Sequence, residues 1–415
     1  MVPLMTLRQN PYAIKRFHNE NVAPPGDYAS DPGAFIPVNA FDAARREISA
    51  WPGYEPTPLL ALDGLAKALG IASLRLKYEA PRFGLGSFKA LGGAYAVSLY
   101  LKSMIREATG NEADTQSLLA GTHAGTTKNI TVCSATDGNH GRSVAWGAQM
   151  FGCRCVIYVP HHTSQGRIDA IAAFGAEVIR HHANYDDTVR QCASVAAENG
   201  WTVISDTSYD GYTQIPLDVM SGYTVLVAEL LEQLPAGERP THVFVQGGVG
   251  GFASGVIAPM WHHWGADRPK FIFINPDNAA AMLRSAEAGS RVAIEGDLET
   301  VMACLSCGEL SLLAWQLLKR TINDTIAIPD EAATDTMRTL AHGVNGDAPV
   351  VAGESGCAGI AGLIAAVNDT GNDGGAKEAL GLDADSRVLC ICTEGATDPA
   401  LYAEIVGKTP EQVMA

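Results

Sequence analysis

The sequence has few positive charges. Lysine and arginine total 29 against 45 aspartate and glutamate, a formal charge of -16. A nucleic acid or an anionic membrane surface is therefore not an expected partner. Long hydrophobic runs are also missing. The apolar stretches 350–352 and 271–274 are strand-sized, far short of the about 20 residues that a bilayer crossing needs. The first ten residues lack the charged start and apolar centre of a secretory signal, so the expected location is the cytoplasm. Fixed-period repeats are absent, which removes solenoids and propellers. Charged residues reach only 18% against 47% hydrophobic, which excludes a disordered chain and fits a well-packed enzyme-like one.

Nine cysteines, an odd number in 415 residues, do not describe a disulfide scaffold. Cys153/Cys155 and Cys390/Cys392 alternate inside apolar runs and read as buried faces of strands. Cys304 and Cys307 have the spacing of a zinc or redox pair. No second pair lies close by, and small buried side chains are the alternative. No metal site is expected.

What is present is a rhythm. Apolar four- to seven-residue strands at 73–78, 130–133, 153–159, 176–180, 202–205, 241–245, 270–275 and 387–392 are separated by helical patterns. These lie at 62–69, 94–105, 141–151, 164–174, 185–199, 218–233, 252–264, 279–288 and 399–406. Alternation of this kind means βαβ units and parallel sheets buried on both faces, an α/β protein. Residues 1–50 read as a proline-rich arm followed by a helix at 41–50. Residues 109–129 read as a surface insertion.

Chemistry concentrates in loops that follow strands, where open α/β sheets place their ligands. In Gly86-Ser87-Phe88-Lys89-Ala90-Leu91-Gly92-Gly93, one lysine stands near the start of a helix after a glycine-rich loop. The positive end of a helix dipole suits a lysine whose nitrogen is neutral or covalently used; a solvated helix-start lysine is the alternative. Ser134, Thr136, Asp137, Gly138, Asn139 and His140 join a strand to a helix and offer backbone N–H groups to a carboxylate. Asp137 is out of place in an anion cradle unless the ligand also carries a positive charge; capping the helix is its other reading. Gln246-Gly247-Gly248-Val249-Gly250-Gly251 has neither the P-loop nor the dinucleotide pattern, and so reads as a cradle for a single phosphate. Turns at Glu354-Ser355-Gly356 and Thr393-Glu394-Gly395 add hydroxyl and carboxyl groups.

A reactive lysine, a phosphate cradle and a carboxylate cradle together suggest pyridoxal phosphate acting on a small amino acid. The set Thr57-Pro58-Leu59, Ser87-Phe88-Lys89, Asp137-Gly138-Asn139-His140-Gly141 and the glycine run resembles the fold type II group of tryptophan synthase β-subunit and the serine-threonine dehydratases. Within it, Phe83-Gly84-Leu85, Thr136 to Arg142, Asn184 to Arg190 and Gly353 to Gly356 resemble the diaminopropionate ammonia-lyase family over residues 54–398. The resemblance implies two open, mostly parallel twisted sheets with helices on both faces. It implies a larger cofactor-binding domain, 1–93 with 222–415, and a smaller domain, 94–221, that closes over the substrate, in a homodimer. Lys89 would bond the cofactor. Gly247, Gly248, Val249, Gly250 and Gly251 would hold its phosphate, Asn139 its ring oxygen and Thr393 its pyridine nitrogen. The substrate would meet Ser134, Thr136, Asp137, Gly138, His140 and Asp206.

The ordinary dehydratases of the group carry serine where Asp137 stands. A carboxylate there can hold the second amine of 2,3-diaminopropionate and exchange a proton, so that Asp137 and Lys89 could serve D- and L-substrate from opposite faces. Asp206 matches a second acidic position near the substrate; a turn-initiating aspartate is its alternative. Asn275 stands where relatives often have glutamate, which puts any metal site there in doubt. Other readings are a dehydratase or β-lyase acting on serine, threonine or hydroxyaspartate, and a non-catalytic cofactor carrier.

Overall fold

The computed structural model describes residues 12–136, 138–161, 163–182, 185–371 and 375–415. Asp137 and Asn184 therefore lie outside the described residues. Among these residues no helix is long and apolar enough to cross a membrane.

The chain divides into two compact units. One comprises residues 1–35, 56–81 and 226–415; the other comprises residues 36–55 and 82–225. The expected cuts at 94 and 221 fall elsewhere. A cut before residue 94 would sever a helix that runs unbroken over Lys89–Thr109. Residues 82–93, including Lys89, thus group with the smaller unit, as does the helix Val38–Ser49.

The larger unit is built on strands β1 (Lys15–His18), β2 (Leu59–Ala61), β3 (Ser73–Tyr78), β8 (His242–Gln246), β9 (Lys270–Pro276), β10 (Ile322–Ile328) and β11 (Arg387–Cys392). They form one sheet in the order β1-β10-β9-β8-β11-β3-β2. All neighbours are parallel except the two edge strands β1 and β2. Central strands such as His242–Gln246 are buried at every position, as a doubly covered parallel sheet requires. Leu76, Phe244, Ile274 and Ile326 pack with Ala361 and Ile364 of helix Ala358–Asn368 in one continuous core.

The smaller unit has strands β4 (Thr131–Ala135), β5 (Arg154–Pro160), β6 (Glu177–His181) and β7 (Thr202–Val203), all parallel, in the order β6-β5-β4-β7. Helices Lys89–Thr109 and Asn139–Phe151 touch at the backbone. A Cβ added to Gly147 would lie 2.7 Å from Ala94 Cα, and one added to Gly93 would lie 2.6 Å from Ser143 Oγ. The Ala94 N–H donates to Ser143 Oγ at 3.1 Å. This contact comes five residues after Lys89 and four after Asn139, so the two helix starts are fixed against each other. Small residues are the local cause: only a missing Cβ lets the helices approach this closely.

Candidate active site

Lys89 is the first residue of its helix. The preceding loop turns through Gly86 at φ +79°, a conformation that glycine adopts without strain. Phe83 packs on Trp146 at 4.8 Å between ring centroids, and Arg142 Nη1 donates to the Leu85 carbonyl at 2.9 Å. The lysine is therefore presented by a loop pinned on both sides. Its Nζ donates to Asp206 Oδ2 in a short ion pair. It also lies 5.5 Å from the Phe88 ring centroid and 6.0 Å from that of Tyr223.

Asp206 sits just beyond β7 on a turn held by side chains. The Ile204 carbonyl accepts from Ser134 Oγ at 2.8 Å and lies 2.8 Å from His140 Nε2. Tyr212 Oη donates to Val203 O at 2.7 Å and accepts from Ser205 N–H at 3.0 Å. Burial alone would raise the Asp206 carboxyl. The charges of Lys89 and His140, with the hydrogen bond from Lys89, outweigh burial and hold the carboxyl below the usual carboxylate range. An ionised carboxylate on the lysine nitrogen holds and orients its ammonium.

Helix Asn139–Phe151 begins beside this pair. Thr136 Oγ1 accepts from the N–H groups of Gly138 at 3.1 Å and Gly141 at 3.3 Å, so these two donors are satisfied inside the loop. Ser134, Thr136, Gly138, Asn139, His140, Lys89 and Asp206 all belong to the smaller unit, and Lys89, His140 and Asp206 form one cluster.

The larger unit carries the glycine loop between β8 and helix Gly251–Trp264. Its carbonyls are turned inward. Gly247 O accepts from Asn275 Nδ2 at 2.9 Å, Val249 O from Ser311 N–H at 2.9 Å, and Gly250 O from Ser254 N–H at 3.0 Å. Among the described residues the N–H groups of Gly248, Val249 and Gly250 have no acceptor. Gly250 has φ +87°, and side chains fill the space behind the loop: an added Cβ would meet Phe273 at 2.4 Å from Gly247 and Cys307 Sγ at 2.6 Å from Gly248. A bare set of donors on a 14-residue helix start fits a phosphate. Thr393 is buried, and its hydroxyl accepts from Gln246 Nε2 at 3.2 Å.

Three kinds of comparison bear on this arrangement. The sequence model of the family described as "Pyridoxal-phosphate dependent enzyme" matches residues 50–394. The chain is 41% identical over 355 residues to the diaminopropionate ammonia-lyase of Escherichia coli (strain K12), covering 85% of this chain and 88% of that enzyme. The chain belongs to the diaminopropionate ammonia-lyase family. The holo crystal structure of the Escherichia coli diaminopropionate ammonia lyase superposes with a TM-score of 0.86 at 35% identity, covering 97% of this chain and 99% of that one. A second structure of that ammonia lyase, in complex with an aminoacrylate-PLP azomethine reaction intermediate, gives 0.84 at 37% identity, covering 97% and 99%. The two-sheet α/β architecture is that of fold type II, and the cofactor of this ammonia-lyase family member is pyridoxal phosphate.

Sequence reasoning missed the site-shaping roles of three residues, although it had noted Asn275 and Cys307 on other grounds. Asn275 holds the glycine loop by its Gly247 carbonyl, Cys307 backs Gly248, and Tyr212 ties down the turn of Asp206. An asparagine at the end of an otherwise apolar buried strand was the available signal for the first.

Proposed function

We infer that the protein is a pyridoxal-phosphate-dependent ammonia-lyase that degrades 2,3-diaminopropionate. The α-carbon gives up a proton, the bond from C3 to its amine breaks, and the amine leaves as ammonia. The resulting 2-aminoacrylate takes up one water and yields pyruvate and a second ammonia. Pyridoxal phosphate, when bound, supplies the electron sink for the α-carbon. The observation that carries the reading is the Lys89–Asp206 pair, a helix-start lysine with its own carboxylate, in a chain of this family.

We assign the roles as follows. Lys89 bonds the cofactor and, when released, takes the α-proton from one face. Asp137 takes it from the other face and holds the 3-ammonium group, so that both enantiomers react. Asp206 orients Lys89 as the carboxylate partner of its ammonium. The N–H groups of 248–251 bind the phosphate, Asn139 the ring oxygen and Thr393 the pyridine nitrogen. A hydroxyl cannot keep that nitrogen protonated as a carboxylate would, which favours rapid elimination. Ser134 and His140 hold the Asp206 turn, and the loop 136–140 receives the substrate carboxylate. The working form is a cytoplasmic homodimer, which sedimentation of the purified protein checks.

The test is a panel of D- and L-diaminopropionate, serine, threonine and hydroxyaspartate, scored by pyruvate or the corresponding keto acid with added cofactor. Preferred turnover of diaminopropionate is expected. A strong preference for the hydroxy amino acids would overturn the assignment.

A further inference from the structure

His140 is buried at 6% exposure, and one of its ring nitrogens is unexplained by the roles above. Nε2 lies 2.8 Å from the Ile204 carbonyl, which can only accept, so Nε2 carries the hydrogen in either charge state. Nδ1 is buried and has no hydrogen-bond partner among the described residues. It lies 4.0 Å from Asp206 Oδ2, the same oxygen that receives Lys89 Nζ.

With neutral His140, a lone pair faces a carboxylate and nothing joins them. The Lys89 ammonium makes that arrangement tolerable, because it neutralises Oδ2 from the other side. Commitment of the lysine nitrogen to the cofactor withdraws that ammonium. A carboxylate only 18% exposed that loses its cation is stabilised by taking a proton or by acquiring a new counter-charge. Nδ1 is already poised to supply one.

We propose that His140 is a positioning residue for Asp206: a proton on Nδ1 replaces the Lys89 ammonium at Oδ2 when Lys89 is committed to the cofactor. The inference rests on Lys89 being the cofactor-bonding residue. Among the described residues the charged groups that face His140 are Lys89 and Asp206; Tyr212 and Tyr223 also face Asp206. Burial pushes both phenols above their ordinary range, so they stay neutral and cannot replace the histidine's charge. Burial likewise lowers His140, with Asp206 opposing and Lys89 adding to the effect. Removing the Lys89 ammonium takes away one depressing influence and leaves the raising one.

The experiment uses full-length protein with carbon-13-labelled imidazoles. The His140 resonance is assigned by its disappearance in His140→Gln. Glutamine can keep a donor on the Ile204 carbonyl but has nothing to titrate. His140→Asn gives the same assignment if the glutamine variant does not fold. Titration midpoints are measured for cofactor-free wild type, cofactor-loaded wild type and cofactor-free Lys89→Ala. Both the loaded protein and Lys89→Ala are expected to titrate higher than cofactor-free wild type, by about one pH unit or more, a tenfold change in proton affinity. Equal or lower midpoints in either sample would overturn the proposal. Borohydride reduction of the loaded sample and peptide mapping separate the two readings. A cofactor adduct on Lys89 with an unmoved His140 refutes this inference alone. An adduct on another lysine refutes the assignment of Lys89, and the inference with it.

Discussion

At the residue scale the site depends on which charges are left uncovered. Asp206 is legible in the sequence only as an aspartate after a short strand; its partner Lys89 lies 117 residues away, and their contact exists only once β7 and helix Lys89–Thr109 share a unit. Lys89 itself was legible, because glycines before and after it mark a loop that brings backbone close to a ligand. The lone pair of His140 was not, since its significance comes from two neighbours in space and not from its motif. Asp137→Asn should abolish most pyruvate release from the D-enantiomer, by about a hundredfold or more as expected for loss of a general base. Turnover of the L-enantiomer should fall much less. Undiminished D-turnover would remove Asp137 from the chemistry.

A second residue-scale prediction concerns stability. Burial raises Asp218 to about 6, with a hydrogen bond from Gln214 opposing it. Below the ordinary carboxylate range both folded and unfolded chains hold the proton, and this group has no effect. Between that range and about 6 the unfolded chain releases the proton while the folded chain keeps it, so stability falls as pH rises. Above about 6 the loss is complete. Asp218→Asn should therefore raise the melting temperature at pH 8, by a contribution of at most about 3 kcal/mol, and change little at pH 4. Thermal scans at the two pH values decide it. An equal change at both would mean that packing, not ionisation, sets the effect.

Among elements, the glycine loop shows how shape makes a binding site. Its inward carbonyls and filled rear wall leave the N–H groups of 248–250 without an acceptor among the described residues. Gly248→Ala should push against Cys307 and weaken cofactor binding by about tenfold, near 1.4 kcal/mol, while the fold survives. Cys307→Ala in the same chain should restore part of the loss, because it removes the atom met at 2.6 Å. Fluorescence titration of the cofactor measures both. An unchanged affinity in Gly248→Ala would show that the loop does not hold the phosphate.

The regular strands and helices that place this loop were legible from alternation, because short apolar runs in a parallel sheet carry the same signal on both faces. The stretch 289–386 was not. Strand β10 reads Ile-Asn-Asp-Thr-Ile-Ala-Ile, and its polar centre hides a strand. Asp324 is buried there because Arg16 of β1 covers it at 2.6 Å and His18 at 3.2 Å. The proline-rich arm is thus partly an edge strand, and only the pairing explains why Arg16 and His18 stand there. Helix Ala358–Asn368 is apolar on every side and so lacks the period that marks a surface helix.

At the scale of the whole molecule, the Lys89–Asp206 pair and His140 lie in the smaller of two compact α/β units and the glycine loop in the larger. The family resemblance was legible because these loops are contiguous in sequence. The division into units was not, because it depends on a helix packed through glycines. The account stands on Lys89 as the point where the cofactor is bonded. Reduction of the cofactor-loaded protein with borohydride, followed by proteolysis and mass mapping, tests that directly. The predicted result is one pyridoxyl-modified peptide containing Lys89, absent from Lys89→Ala; an unmodified Lys89 peptide alongside a modified peptide from elsewhere would contradict it.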